Sequence, residues 1–221
     1  LFPNPIAPPP PRDALDPQDW REQHHLPSNK KVLLFLGRIH PVKGLARLVE
    51  AWAELSHHHH EWHLVLAGPD EAGHAAEINE QIARLGCSDS VALTGSLGDQ
   101  EKWDAFAAAG LFVMPSDFEN FGLSIAEAML AALPVVTTTG TPWKELPEKR
   151  AGWWIKKTSA ALAIALDEAM MLSPSDRAAM GENARRIAAE FEPDKVGEKL
   201  FTTYQWLLGR GPRPDCIREA P

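Results

Sequence analysis

The chain has 221 residues, 44% hydrophobic and 24% charged, which suffices for a sizeable core in one large domain or one domain with extensions. Its 22 basic and 30 acidic residues give a net charge of −8, which argues against a nucleic-acid partner, whose binding rests on phosphate neutralisation. Two cysteines, Cys87 and Cys216, are too few for a disulfide framework and match no metal-ligand spacing, and no apolar run reaches the ~18 residues of a membrane span. The chain opens at Leu1 with neither Met nor a signal-peptide pattern, so it reads as a piece of something longer. Unpaired thiols suit a reducing compartment, and a cytoplasmic location is expected.

The first stretch, "LFPNPIAPPPPRDALDP", is too rich in proline for a core strand or helix and reads as a linker. A short helix is expected at "PQDWREQHHL", closed by Pro27; linker and helix together make up 1–29. From Lys31 the texture changes. "KVLLFLG" (31–37) and "WHLVLAG" (62–68) are continuous apolar runs ending in glycine, as buried parallel strands do. Between and after them, "LARLVEAWAEL" (45–55) and "HAAEINEQIARLG" (74–86) carry helical spacing. "VALTG" (91–95) reads as a strand and "DQEKWDAFAAAG" (99–110) as a helix with Asp99 at its N-cap. "LFVMP" (111–115), "PVVTTT" (134–139) and "GWWI" (152–155) follow as strands, with the helix "LSIAEAMLAA" (123–132) among them. Two helices at 159–172 and 175–191 complete a domain over 30–191; a closing helix over 192–208 and a flexible tail over 209–221 end the chain. Six alternations of strand and helix predict an α/β fold with a doubly wound, Rossmann-like parallel sheet. Ligands of such sheets lie outside the carboxyl ends of the strands, so the loops after Gly37, Gly68, Gly95 and Pro115 line any site.

Two of those loops carry chemistry. In "GRIHPVKG" (37–44), Arg38 and Lys43 stand between a strand-ending and a helix-opening glycine. Two cations beside a helix N-terminus suit a pyrophosphate, since charge and dipole act together. Read alone, they are equally two solvated charges in a turn. The spacing is neither a Walker loop nor G-x-G-x-x-G. In "PSDFENFGLSIAEAM" (115–129), Glu119 falls in the loop and Glu127 just over one turn into the next helix. Gly122 permits close backbone approach, and the first N–H groups of that helix face the same mouth. A carboxylate there accepts hydrogen bonds from paired sugar hydroxyls. Taken singly, Glu119 is a solvated loop acid and Glu127 a helix-dipole partner; both at the edge that holds Arg38 and Lys43 favour a site.

These pieces, with "LPVVTTTGTPWKEL", "FPNPI" and "FTTYQWLL", resemble the donor-binding half of the family 4 retaining glycosyltransferases of GT-B fold, over about 1–208. The specific element is the E-x₇-E pattern with its embedded Phe-Gly. The resemblance implies one half of a GT-B fold and catalytic roles for Arg38, Lys43 and Glu119: Arg38 and Lys43 bind the donor diphosphate, and Glu119 contacts the donor sugar. It implies that Glu127 holds the ribose hydroxyls, that the backbone of Asn120, Phe121, Gly122 and Leu123 approaches sugar and phosphate, and that the loop of Gly95 and Leu97 lies near the base, with Gly37 in the phosphate loop. The donor is then a nucleotide-diphospho-sugar. No Asp-x-Asp pattern is present, so no metal is required and no cofactor beyond the donor is implied. An acceptor domain preceding the chain is the expected partner, and surface polysaccharide or lipopolysaccharide the expected product class. The parent protein then touches the inner face of a membrane, if anywhere, through that other half. A nucleotide-sugar epimerase, a phosphorylase and a non-catalytic nucleotide-binding domain remain alternatives. One departure is Ala132, where the family often has glycine.

Other features are weighed more plainly. "HHHH" (57–60) reads as a solvated loop at the amino end of the sheet. His40 either touches a ligand or fills the turn. Trp143 is expected to pack, and Thr141 and Trp143 otherwise to meet acceptor or base. Trp153 and Trp154 are assigned to core or interface. Phe201, Tyr204 and Leu208 form one helical stripe suited to packing onto the domain or onto its absent partner.

Overall fold

The computed structural model describes residues 4–214. Part of the expected tail, 215–221 with Cys216, lies outside the described residues, as does the start of "FPNPI". Six strands form one parallel sheet: β1 (Lys31–Leu36), β2 (Trp62–Ala67), β3 (Val91–Gly95), β4 (Ala109–Met114), β5 (Val135–Thr138) and β6 (Gly152–Ile155), in the order β3-β2-β1-β4-β5-β6. This is the doubly wound α/β arrangement expected. Its central strands are continuous apolar runs because helices cover both faces: Leu33, Leu34, Phe35, Leu64, Val65, Leu66, Phe112 and Val113 are fully buried. Each such side chain contributes roughly 2 kcal/mol by leaving water.

The helices are α1 (Pro17–Gln23), α2 (Leu45–Leu55), α3 (His74–Arg84), α4 (Asp99–Ala108), α5 (Leu123–Leu130), α6 (Ser159–Met171), α7 (Pro174–Ala188) and α8 (Pro193–Leu207). In α2 the apolar face repeats at three and four residues, and Leu45, Leu48, Val49, Trp52 and Leu55 are all buried. Among the described residues no helix is long and apolar enough to cross a membrane.

The proline-rich start is fastened to the domain. Ile6 is buried and donates its N–H to Phe191 O at 2.8 Å. Trp20 of α1 is buried in the core, and Arg21 donates to the carbonyls of Lys30 (3.0 Å) and Ala108 (2.9 Å). With Pro27 O as a third acceptor, Arg21 ties the α1–β1 connection to the residues just before β1 and β4.

Some local expectations change. The N-cap of α4 is Gly98, not Asp99: Glu101 turns back to accept the Gly98 N–H at 2.7 Å, which leaves Asp99 as the first helical residue. The histidine run is not wholly solvated. His57, His58 and His60 are exposed, but the chain folds back after α2, His59 N–H bonds Leu55 O at 3.0 Å, and the buried His59 ring meets Asp167 of α6 at 2.7 Å. On α8, Val196 and Thr203 face the domain. Phe201, Tyr204 and Leu208 point outward, so their stripe does not pack onto the described residues.

Candidate functional site

The sheet order decides where the site lies. The first three strands step outward from β1, and β4 then returns to β1's other side, pairing Leu33 with Leu111 and Leu34 with Phe112. The chain leaves β1 toward one side of the sheet and β4 toward the other, so the switch point lies between their two loops at the carboxyl edge. Those loops are 37–44 and 115–122, the two that hold the candidate cations and the first acid.

They are stitched together. Gly44 has φ 70°, and a Cβ there would lie 2.2 Å from the Pro115 carbonyl oxygen, so only glycine fits. Asp117 N–H donates to Val42 O at 2.8 Å. Arg47, in the first turn of α2, donates to Pro115 O at 3.1 Å and to Asp117 Oδ1 at 2.7 Å. His40 fills the turn, its Nδ1 accepting the Val42 N–H at 3.1 Å.

Lys43 Nζ then lies 2.5 Å from Glu119 Oε1, and the side chains are only 13% and 14% exposed. Ser116 Oγ donates to the same oxygen at 2.8 Å, and Glu119 N–H is held by Gly140 O at 2.8 Å. Gly140 is pressed against the loop: a Cβ on it would fall 2.3 Å from Asp117 O. The acid is thus fixed from three sides.

Four residues beyond Glu119, α5 begins. Gly122 adopts φ 80° at its N-cap, and the first helical bonds run from the N–H groups of Ile125 and Ala126 to Gly122 O. The N–H groups of Gly122, Leu123 and Ser124 precede that first bond and point to the helix's positive end. Asn120 and Leu123 are exposed there. Phe121 is held beneath: its carbonyl accepts the Trp143 Nε1–H at 2.7 Å, and its ring packs at 5.3 Å from both Trp143 and Phe191. Trp143 is a packing residue, 2% exposed. Thr141 is buried too, its hydroxyl donating to Thr138 O. Trp153 and Trp154 are half-buried, their indoles donating to Glu168 Oε2 and Thr141 O, each at 3.0 Å.

Not every candidate joins this cluster. Arg38 follows Gly37 at the end of β1, but its side chain is 56% exposed and its guanidinium pairs with Glu71 on the next loop at 2.5 Å. Gly95 ends β3 with its carbonyl accepting Gly68 N–H at 2.7 Å, and Leu97 packs partly on the core. Glu127 meets neither Lys43 nor Glu119; its Oε1 takes a hydrogen bond from Lys102 Nζ at 2.8 Å. So two ion pairs flank the start of α5. Lys102, Ser116 and Glu71 were missed by sequence reading. For Lys102 there was a signal: it lies in the first turn of α4, where a cation opposes the helix dipole. The cleft of about 540 Å³ between the β5–β6 connection and α7–α8, lined by Lys149, Arg186, Phe191 and Lys199, holds none of Arg38, Lys43, Glu119 and Glu127.

Comparison with known proteins places this architecture. The family profile described as glycosyl transferases group 1 matches residues 16–187. The chain is 30% identical over 184 residues to the lipopolysaccharide core biosynthesis mannosyltransferase LpcC of Rhizobium leguminosarum bv. viciae, covering 78% of this chain and 50% of that protein. It is 30% identical over 207 residues to the D-inositol 3-phosphate glycosyltransferase of Kineococcus radiotolerans, covering 81% and 45%. The chain spans about half the length of these relatives. Among solved structures, Anabaena HepE in complex with UDP and glucose superposes with a TM-score of 0.76 at 25% identity, over 89% of this chain and 53% of that one. The sheet is the Rossmann-like half of a GT-B fold, and the chain belongs to the glycosyl transferases group 1 family.

Proposed function

We propose that the chain is the donor-binding half of a retaining glycosyltransferase of family 4 type, acting on a nucleotide-diphospho-sugar. The observation that carries this reading is the Lys43–Glu119 pair beside the N-terminus of α5: a cation, a carboxylate and free N–H groups at one rim. In transfer, positive charge grows at the anomeric carbon and negative charge on the departing diphosphate. Lys43, Arg38 and the α5 N-terminus take up the negative charge, with Arg38 released from Glu71. Glu119 orients sugar hydroxyls, Glu127 takes the ribose hydroxyls, and the Gly95 to Leu97 turn borders the base. The backbone at Asn120, Phe121, Gly122 and Leu123 approaches sugar and phosphate. The cations meet the diphosphate charge without a metal ion.

The chain's match to only about half of its relatives' length supports a second domain as the other wall, which would bring the acceptor. The lipopolysaccharide core relative favours a glycan or lipid-linked acceptor in surface polysaccharide synthesis, and a location at the inner face of a membrane follows from that reading. The test is calorimetry of UDP and GDP on the chain and on Lys43→Ala and Arg38→Ala. One nucleoside diphosphate binds the wild type, and each variant binds it more weakly. Equal affinity in all three proteins would end the proposal.

A further inference from the structure

Lys102 has no role in the reading so far, and its surroundings are unusual for a surface lysine. It is the fourth residue of α4, where the N-terminal N–H groups make a cation unfavourable. It is 23% exposed, and its ammonium lies over its neighbour's indole, 5.5 Å from the Trp103 ring. Its acceptor is Glu127 Oε1 on α5, itself 18% exposed. A half-buried ion pair adds little to folding, since the loss of water roughly offsets the attraction. Among the described residues, Glu127 Oε2 accepts no hydrogen bond. The carboxylate therefore has one oxygen anchored and one open, and a carboxylate has ample acceptor capacity for a further pair of hydroxyls.

We infer that Lys102 is a positioning residue: through Glu127 Oε1 it holds the acid in the one orientation in which Oε2 meets the ribose hydroxyls of the donor. This rests on the reading of Glu127 as the ribose site. Without Lys102 the carboxylate swings among its rotamers, and ordering it on binding costs affinity. The lysine thus links the loop after β3, from which α4 starts, to the ribose end of the donor.

The experiment is calorimetry of the 221-residue chain with UDP and GDP and with their 2′,3′-dideoxy forms, on wild type, Lys102→Met, Lys102→Arg, Glu127→Ala and the double variant Lys102→Met/Glu127→Ala. Thermal melts check that each variant is folded. With whichever ribonucleotide binds, Lys102→Met loses roughly tenfold in affinity, Lys102→Arg recovers most of it, and the double variant binds no worse than Glu127→Ala. The dideoxy nucleotide binds wild type and Lys102→Met alike. If Glu127→Ala loses nothing, the ribose reading fails and the inference falls with it. If Glu127→Ala loses affinity while Lys102→Met does not, or if Lys102→Met weakens the dideoxy form equally, the ribose reading stands and the positioning role is overturned.

Discussion

The Lys43 ammonium and the Glu119 carboxylate share one hydrogen bond at the switch point, and each fills the other's charge requirement. A diphosphate that claims Lys43 must therefore replace Glu119 as its anion. Glu119 keeps the Ser116 hydroxyl after such an exchange, so it is not stranded. Two outcomes follow from the proposed roles. Lys43→Met weakens nucleoside diphosphate binding by about 10- to 100-fold, the span of one hydrogen bond to a charged group. Glu119→Gln binds the bare nucleoside diphosphate at least as tightly as wild type, because the lysine is no longer committed. It binds the matching nucleotide sugar more weakly, because the sugar loses its acceptor. Parallel titrations of nucleoside diphosphate and nucleotide sugar read both effects; a Glu119→Gln variant that loses both ligands equally contradicts the division of roles.

The contact between Gly44 and the Pro115 carbonyl is what brings the two loops together. Gly44→Ala places a methyl group 2.2 Å from that oxygen at a φ of 70°. Clash and left-handed strain add, and a loss of at least about 2 kcal/mol is expected. Gly73 is the control. Its φ is 78°, but nothing lies within 4 Å of an added Cβ, so Gly73→Ala carries only the conformational cost of about 1 kcal/mol. Urea denaturation of both variants separates the two terms. Equal losses would mean that the loop yields without strain.

How much of this was legible beforehand differs by feature. The strands were, because Val32, Leu33, Leu34 and Phe35 form an unbroken apolar run that only a strand covered on both faces needs. The start of α5 was, because Gly122 precedes the helical pattern. That loops 37–44 and 115–122 touch was not. It depends on β4 pairing with β1, where Leu33 meets Leu111 and Leu34 meets Phe112, a contact between distant parts of the chain that no local pattern encodes. Likewise four consecutive histidines give no sign of which one turns inward. His59 does because the return to Leu55 carries it toward Asp167.

Ala132 adopts φ 59°, in the left-handed region. A methyl group in the left-handed region costs about 1–2 kcal/mol, and glycine in the unfolded chain returns about half of that. Ala132→Gly is therefore expected to stabilise by about 0.5–1 kcal/mol, raising Tm by roughly 1–3 °C. The neighbouring carbonyl sets a limit on the other side. A Cβ at Gly181 of α7 would lie 1.8 Å from Ala132 O, so Gly181→Ala must push α7 away and destabilise. Calorimetric melts of the two variants should move in opposite directions.

His63, buried in β2, gives the fold a pH dependence. Burial holds its pKa below the ordinary 6.5, and the nearby charges of Lys30 and Arg21 push the same way. The native state thus favours the neutral ring, while the unfolded chain takes up a proton as pH falls through about 6.5. With a depressed native pKa, this contribution to stability is fully present above 6.5 and is lost as pH falls toward the native value. Wild type is therefore less stable to urea at pH 5.5 than at pH 7.5. His63→Gln cannot titrate, so its loss over the same interval is smaller. Identical pH profiles for the two proteins would show that the His63 proton is not coupled to folding.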